Sequence, residues 1–262
     1  MRPNRTKQRL REGKIALGSA MIQFQSAEVP RMFAEAGLDW IFIDGEHGCF
    51  TIETVQDLVR ASLMTTITPV VRVADLQYSL IARALDMGAE GIIFPRVEDP
   101  ALLAKAVSWT KFPPRGIRGY GLTSPHVGYS SASFGEVIQH CNDETLIVLQ
   151  VETAKAVERC DELAAVPGVD AIMIGPADLS ISLGIGGEFE HPKLGQAIEK
   201  VIAACERHKI APSIHVRNPQ LARHWIGKGM KLVSCSSELV MLWGAVQTLS
   251  KDLKAAAEGS AS

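Results

Sequence analysis

The chain has 262 residues, of which 47% are hydrophobic and 21% charged, and its formal net charge is −2. This composition is that of a globular domain with a sizeable core, and the near-neutral charge argues against electrostatic binding of nucleic acid or an anionic membrane. The basic amino-terminal segment, MRPNRTKQRLREGK, is not followed by an apolar run of signal-peptide length. No apolar stretch is long enough to predict a transmembrane helix.

The five cysteines are scattered along the chain, and no CxxC pair occurs. An odd number without metal-ligand spacing indicates reduced thiols, not a disulfide framework or a zinc site. We therefore expect a cytoplasmic protein.

Short apolar runs alternate with amphipathic segments along the chain. The runs predict buried parallel strands near Ile15–Ala20, Trp40–Asp44, Thr68–Val73, Gly91–Pro95, Leu146–Glu152, Ala171–Gly175, Ala211–His215 and Lys231–Cys235. The other segments predict helices over Ser26–Ala36, Ile52–Leu63, Leu76–Met87, Pro100–Thr110, Ala154–Ala164, Pro192–His208, Pro219–Lys228 and Glu238–Ala257. Four glycines after these helices are typical of helix ends: Gly37, Gly88, Gly168 and Gly229.

Eight strand–helix repeats predict an α/β fold of the (β/α)8 TIM-barrel type. We expect one barrel domain over residues 1–262, with a short basic amino-terminal extension and a flexible carboxyl-terminal tail. An open doubly wound sheet is the structural alternative, but Gly18-Ser-Ala-Met does not supply its dinucleotide fingerprint. Segment 111–142 is rich in Gly, Pro and Ser and is predicted to be a long functional loop.

Polar residues end many of the predicted strands, where the active sites of such barrels lie. The residues at these positions are Asp44, His47, Arg72, Arg96, Gln150, Glu152, Asp178 and His215. Glu152 and Asp178 are one strand–helix repeat apart, and two oxygen ligands completed by water suit Mg²⁺, Mn²⁺ or Co²⁺. The alternative is that both carboxylates cap the helices that follow them. The turn Gly175-Pro176-Ala177-Asp178 also leads a helix, and its N–H groups could hold a carboxylate.

Of four further side chains, three have two possible interpretations and one has a single simple one. His47, in the glycine-flanked turn Asp-Gly-Glu-His-Gly, could be a general base, although a lone turn histidine is more often structural. Arg72 ends an apolar strand, so it is either half of an ion pair or an anion clamp. Asp86 lies near a helix end, and the simplest interpretation is a solvated surface acid. His215 either fills the barrel or lies at its rim.

Taken together, these motifs resemble the HpcH/HpaI aldolase family. The resemblance rests on DWIFIDGEHG, PVVRV, ALDMGAEGIIFPRVE, GIRGYG, LQVET and GVDAIMIGPADLSISLG, in consistent order over roughly residues 15–245. It implies a class II aldolase that interconverts a 4-hydroxy-2-oxo acid with pyruvate and an aldehyde through a metal-stabilised enolate, using a divalent metal and no organic cofactor. It also implies a homo-oligomer, often a hexamer built as a trimer of dimers, whose last helix packs on a neighbouring subunit.

The resemblance also implies residue roles. For catalysis they are His47 as the base, Asp86 as the acid that raises its basicity, Arg72 as the enolate stabiliser and Asp44 as support for the histidine turn. For binding they are Gln150, Gly175, Pro176, Ala177 and Asp178 toward the substrate, and Glu152 and Asp178 toward the metal.

The chain departs from the family pattern in two places. Gly48-Cys49-Phe50 replaces a more polar stretch, and SCSSELVML near the last strand replaces a common glycine and aspartate. With the loop Gly116–Tyr129, the residues around Cys49 are expected to select the aldehyde. Two other functions stay open: a CoA-ester lyase of the citrate lyase β or malyl-CoA type, and a non-catalytic barrel that binds a keto acid.

Overall fold

The computed structural model describes residues 1–121 and 127–259. Eight parallel strands close into a barrel in which each strand pairs with the next and the last pairs with the first. Strands β1 to β8 are Ala16–Met21, Trp40–Asp44, Thr68–Arg72, Gly91–Phe94, Leu146–Val151, Ala171–Ile174, Ala211–Val216 and Leu232–Ser237. The predicted TIM barrel is confirmed, and every predicted strand lies within two residues of its observed bounds.

The described residues form twelve helices. Helices α1 to α12 are Arg5–Arg11, Glu28–Glu35, Ile52–Leu63, Tyr78–Asp86, Pro100–Ser108, Phe134–Glu144, Ala154–Glu158, Cys160–Ala164, Pro176–Ser182, Pro192–His208, Pro219–Gly227 and Glu238–Gly259. The eight predicted helices are present, with one of them divided into α7 and α8. All four predicted glycine stops have positive φ angles, the conformation that favours glycine after a helix.

The prediction of one long loop over 111–142 is wrong in its last part, because α6 begins at Phe134. Ser133 and Glu136 form a capping box at its start, in which each side chain bonds the backbone N–H of the other residue. This S-x-x-E spacing is a helix-start signal that the sequence contains. Residues 122–126 of the predicted loop lie outside the described part of the chain.

Successive side chains of each strand point alternately outward and inward, and this divides the core into two layers. Ile41 and Ile43 of β2 pack against the surrounding helices, while Trp40 and Phe42 of the same strand fill the barrel interior. Gly18 on β1 makes room for the indole of Trp40, since a Cβ atom there would lie 2.7 Å from its Cε2 and Nε1 atoms. The barrel is therefore solid below the carboxyl ends of its strands.

Helix α1 closes the amino-terminal end of the barrel. Its Lys7 Nζ donates to the Thr145 carbonyl at 2.8 Å and to Asp170 at 2.9 Å, and its Thr6 hydroxyl bonds that of Thr68 at 2.8 Å. The carboxyl-terminal end of the barrel is left to hold the candidate site. In the ranges described, no helix combines the length and apolar character needed to cross a membrane.

Candidate active site

Asp44 and Arg72 form a buried ion pair at the ends of β2 and β3. The guanidinium donates from Nε to Asp44 Oδ1 at 2.9 Å and from Nη2 to Oδ2 at 2.7 Å. Burial alone would raise the pKa of Asp44, but the Arg72 hydrogen bonds and charge lower it overall. Arg72 Nη1 remains directed toward Gln150 Oε1, at 3.3 Å. Arg72 is therefore an ion-pair partner whose remaining N–H groups face the site.

The same aspartate shapes the turn that carries His47. Asp44 Oδ1 accepts from the backbone N–H groups of Glu46 and His47, at 3.0 and 3.1 Å. Gly48 is required in this turn, since a Cβ atom there would lie 2.1 Å from the Asp44 carbonyl oxygen. The His47 imidazole is held above the strands with 56% of its side chain exposed. The predicted support of the turn by Asp44 therefore has a direct structural basis.

Glu46 is a site residue that we did not predict. Its side chain is 7% exposed and lies 3.2 Å from Arg72 Nη1, 3.0 Å from Arg96 Nε and 3.7 Å from His47 Nε2. Glu46 Oε2 is buried and pairs with the charge of Arg72 without the geometry of a hydrogen bond. Its position between Asp44 and His47 in one tight turn was the available signal.

Glu152 is a buried carboxylate held from two sides. Its Oε2 accepts from Gln150 Nε2 at 2.5 Å, and its Oε1 accepts from the backbone N–H of Arg96 at 3.0 Å. Arg96 has a φ of 52°, an uncommon backbone conformation for a residue other than glycine. This local distortion at the end of β4 aims a backbone donor at the predicted metal ligand.

The alternative roles of Glu152 and Asp178 as helix caps are both wrong. Thr153 is the N-cap of α7, and Gly175 is the N-cap of α9, so that Asp178 lies inside the first turn of that helix. A Cβ atom on Gly175 would lie 2.9 Å from Glu152 Oε2, so the glycine lets the turn approach the carboxylate. The two acids are therefore free for another function.

The two carboxylates fit a divalent cation. Burial raises the pKa of Glu152, and the nearby charges of Asp178 and Glu46 raise it further. A cation between Glu152 and Asp178 would offset this repulsion, and carboxylate oxygens are the ligands that Mg²⁺ and Mn²⁺ prefer. Across the described ranges, no group of three or more His, Cys, Asp or Glu side chains could hold a metal. Water and substrate would complete the coordination.

Several of these residues border one cavity of about 690 Å³ at the carboxyl ends of the strands, and Glu152 and Glu46 lie behind its wall. Its polar wall includes Asp44, His47, Arg72, Gln150 and the turn from Gly175 to Asp178. His215 also lines it, so this histidine faces the site, and its Nδ1 lies 2.9 Å from Ser234 Oγ. Burial, then the charge of Arg72, lowers the pKa of His215 to about 4, which leaves the ring neutral at neutral pH.

The departure SCSSELVML also borders this cavity. Ser236 has a φ of 63°, a conformation that favours glycine. Glu238 Oε1 accepts from the backbone N–H groups of Ile22, Gln23 and Phe24, at 2.8, 2.5 and 2.9 Å. Glu238 thus holds the loop after β1 in place.

Asp86 is not brought to His47 within one chain. It lies in the last turn of α4, and helices of a parallel barrel run back toward the amino-terminal ends of the strands. There its Oδ1 accepts from the buried Arg118 at 2.6 Å. The described residues of the predicted specificity loop, Gly116–Gly121 and Val127–Tyr129, likewise do not line the cavity.

Comparisons with known proteins identify the family. The family description HpcH/HpaI aldolase/citrate lyase matches residues 22–244. The chain is 31% identical to the 4-hydroxy-2-oxo-heptane-1,7-dioate aldolase of Escherichia coli over 94% of this chain and 93% of that one. It is 33% identical to the 2-dehydro-3,6-dideoxy-6-sulfogluconate aldolase of Pseudomonas putida over 87% and 89%. A solved structure, the HpcH/HpaI aldolase of Desulfitobacterium hafniense DCB-2, is similar at TM-score 0.90 and 32% identity over 95% and 96%.

Proposed function

The chain belongs to the HpcH/HpaI aldolase/citrate lyase family, and we propose that it interconverts a 4-hydroxy-2-oxo acid with pyruvate and an aldehyde in a metal-dependent aldol reaction. It is an enzyme, and the named aldolases it resembles are carbon–carbon lyases. The observation that carries the proposal is the convergence of Arg72, His47 and Asp178 on one cavity, with Glu152 held beside it by Gln150.

Substrate binding uses the polar wall of the cavity. A divalent cation held by Glu152 and Asp178 would act as a Lewis acid toward the 2-keto group. In the proposed complex, Arg72 Nη1 and the Gln150 amide would contact the keto oxygen, and the N–H groups of Ala177 and Asp178 in the first turn of α9 would contact the carboxylate. Such contacts would direct the third and fourth carbons of the 2-keto acid toward His47.

The bond-breaking step then follows from the positions of His47 and Arg72. His47 accepts the proton of the 4-hydroxyl group, the C3–C4 bond breaks, and its electron pair becomes the enolate of pyruvate as the aldehyde leaves. The Arg72 guanidinium stabilises negative charge developing on the enolate oxygen. Proton return to C3 gives pyruvate, and condensation is the reverse.

Asp86 requires a second copy of the chain for its predicted role. Since it lies at the opposite end of its own barrel, only a neighbouring subunit could bring it to His47. Gly121 and the buried Arg118 lie directly against it, so this loop would enter the neighbour's site with Asp86. We therefore include Asp86 in the proposed site only as a residue donated across an interface.

Helix α12 gives independent support for a homo-oligomer. It packs on β1 and β8 only near its start, and its apolar side chains stay exposed, including Trp243 at 61% and Leu253 at 62%. Leu17 on the outer side of β1 is 43% exposed, whereas the outward-facing Ile41 of β2 is fully buried. We propose that α12 covers this outer surface of a neighbouring barrel, within an assembly such as a hexamer.

The CoA-ester lyase remains the alternative, because the family description includes citrate lyases. Such a reaction would use the same two carboxylates and the same arginine. Turnover of malyl-CoA or citramalyl-CoA without aldol activity would favour it.

The test is exchange of the pyruvate methyl protons in D₂O, followed by NMR. We expect no exchange in EDTA-stripped protein and recovery with Mg²⁺, Mn²⁺ or Co²⁺. His47→Ala should abolish the exchange, and His224→Ala, on the exposed side of α11, is the matched control. Absence of exchange with every metal in a folded protein would reject the aldolase, and pyruvate binding without exchange would favour a non-catalytic barrel.

A further inference from the structure

A second arginine, Arg217, lines the same cavity as Arg72. It follows β7 directly and is exposed. Its guanidinium lies 4.7 Å from the centroid of the Phe189 ring, a cation–π distance that holds the side chain at the cavity wall. This position is not explained by the reaction described above.

The two arginines of the cavity differ in what they bind. Arg72 is engaged by Asp44 and Glu46, at 2.7 and 3.2 Å. Arg217 has no carboxylate within ion-pair distance in the part of the chain that the structure describes, and its only recorded partner there is the face of Phe189. His215, two residues earlier, is neutral at neutral pH because its pKa is lowered to about 4. Arg217 is therefore an uncommitted cation at this side of the cavity.

The surroundings of Arg217 define what reaches it. Beside it the wall is apolar, formed by Phe189, Val216, Leu221 and Trp225. A substrate held at its keto-acid end by Arg72 must direct the rest of its chain along the remaining wall. That wall offers contacts for methylene groups and then a guanidinium, whose planar N–H groups match the oxygens of a carboxylate or sulfonate.

On the basis of the proposed aldol reaction, we propose that Arg217 is a specificity-determining residue that binds an acidic group at the far end of the aldehyde. The preferred acceptor is thus an aldehyde with a terminal carboxylate or sulfonate, and neutral aldehydes of equal length are poorer substrates. Phe189 positions the guanidinium for this contact.

The activity test compares three aldehydes of similar length in condensation with pyruvate: 4-oxobutanoate, 3-oxopropane-1-sulfonate and butanal. For wild type we expect kcat/KM to be highest for one of the two acids, and which acid is preferred identifies the oxyanion. Arg217→Gln should lower the acid-to-butanal ratio about tenfold or more, since charge-assisted hydrogen bonds are lost. Arg217→Lys keeps the positive charge and should therefore retain part of the preference for the acids over butanal. Arg223→Gln, an exposed arginine on α11 outside the cavity, is the matched control.

A binding measurement separates this proposal from the aldol reaction itself. The probe is 4-hydroxybutanoate, an unreactive analogue of 4-oxobutanoate, titrated by ligand-observed NMR with saturating pyruvate occupying the keto-acid end. We expect Kd to rise about tenfold in Arg217→Gln and to stay unchanged in Arg223→Gln. If Kd changes in this way but no variant, nor the wild type, shows turnover, the proposed aldol reaction is rejected and the role of Arg217 in binding the acidic group stands. An unchanged ratio and an unchanged Kd in Arg217→Gln would overturn the assignment whether or not the aldol reaction occurs.

Discussion

At the amino-terminal end of the barrel, Lys7 and Arg2 are each paired with a carboxylate, whereas at the carboxyl-terminal end several carboxylates lie close together. Lys7 donates to both Asp170 and a carbonyl oxygen, and Arg2 donates to both carboxylate oxygens of Glu90, at 2.7 Å each. At the other end, by contrast, Glu46 shares Arg72 with Asp44, and Glu152 lies close to the carboxylates of Asp178 and Glu46. The same chain therefore satisfies one end internally and leaves the other end to ligands.

Positive φ angles in residues other than glycine occur at both ends of the barrel, and Lys209 between α10 and β7 has a φ of 57°. Arg96 and Ser236, both at the carboxyl ends of strands, have φ angles of 52° and 63°. Non-glycine residues in this region cost on the order of 1 kcal/mol, and such costs concentrate at functional sites. The two ends therefore differ mainly in how their charges are paired, and the candidate site lies at the end where carboxylates are close together.

Arg72→Gln should give the largest effect, because it removes positive charge where the enolate forms. We expect kcat to fall about a hundredfold or more, which corresponds to roughly 3–4 kcal/mol of transition-state stabilisation. The pyruvate-exchange rate measures this change.

This variant also leaves Asp44 buried without its partner, at a cost of roughly 3–5 kcal/mol in the free energy of unfolding. The control is the double variant Asp44→Asn with Arg72→Gln, which removes the stranded charge. Recovery of stability in urea without recovery of kcat would separate the two roles. Recovery of both would show that Arg72 acts only as a structural partner.

Lys7→Met tests the amino-terminal end of the barrel, which α1 closes. There we expect stability to change and catalysis to stay the same. Loss of the Lys7 contacts with Asp170 and the Thr145 carbonyl is expected to lower the free energy of unfolding by about 1.5–3 kcal/mol. Urea denaturation measures the loss, and kcat should match wild type since Lys7 lies far from the cavity. Arg5→Met, one exposed position in the same helix, is the control. A large fall in kcat in folded Lys7→Met would contradict the division between the ends.

Lys111 gives the closed end a dependence on pH. Its Nζ donates to the Asn142 carbonyl at 2.7 Å, and burial, then the charge of Lys7, lowers its pKa from 10.5 to about 7. Between these values the unfolded chain binds more protons than the folded one, so this group makes the free energy of unfolding rise with pH. Below pH 7 the lysine is charged in both states, and the full cost of burying its charge lowers the free energy of unfolding.

Lys111→Met should remove this rise, which is on the order of 1 kcal/mol per pH unit above pH 7. The measurement is urea denaturation from pH 6 to 10, with Lys254→Met on the exposed face of α12 as the control. Parallel curves for wild type and Lys111→Met would show that the lysine stays charged when folded.

The sequence predicted the barrel well because its strands are buried on both faces and appear as continuous apolar runs. Helix α1 was not predicted, since its burial depends on distant partners such as Asp170, whose position only the closed barrel defines. The start of α6, by contrast, was available from the spacing of Ser133 and Glu136. What the sequence could not supply was therefore mainly long-range pairing.

The same limit applies to the site. Strand ends marked Arg72, Glu152 and Asp178, because parallel strands bring their carboxyl ends together. Glu46 was missed, since its burial comes from contact with Arg72 and Arg96 on other strands. The role of Asp86 followed only from resemblance, and a single chain does not bring it to His47. It stays a prediction that depends on assembly.

Ser236→Gly should give the smallest effect and compares the two ends most directly. It relieves a φ of 63°, and Lys209→Gly relieves a φ of 57° at the opposite end, between α10 and β7. Each is expected to raise the free energy of unfolding by up to about 1 kcal/mol, less the greater freedom that glycine gives the unfolded chain. Urea denaturation measures both. Because Ser236 lines the cavity and Lys209 does not, only Ser236→Gly should also change KM for the aldehyde. Equal gains in stability would mean that the backbone strain is similar at both ends. A change in KM from Ser236→Gly alone would mean that the strained conformation of Ser236 shapes the cavity. A change in KM from Lys209→Gly would contradict that separation.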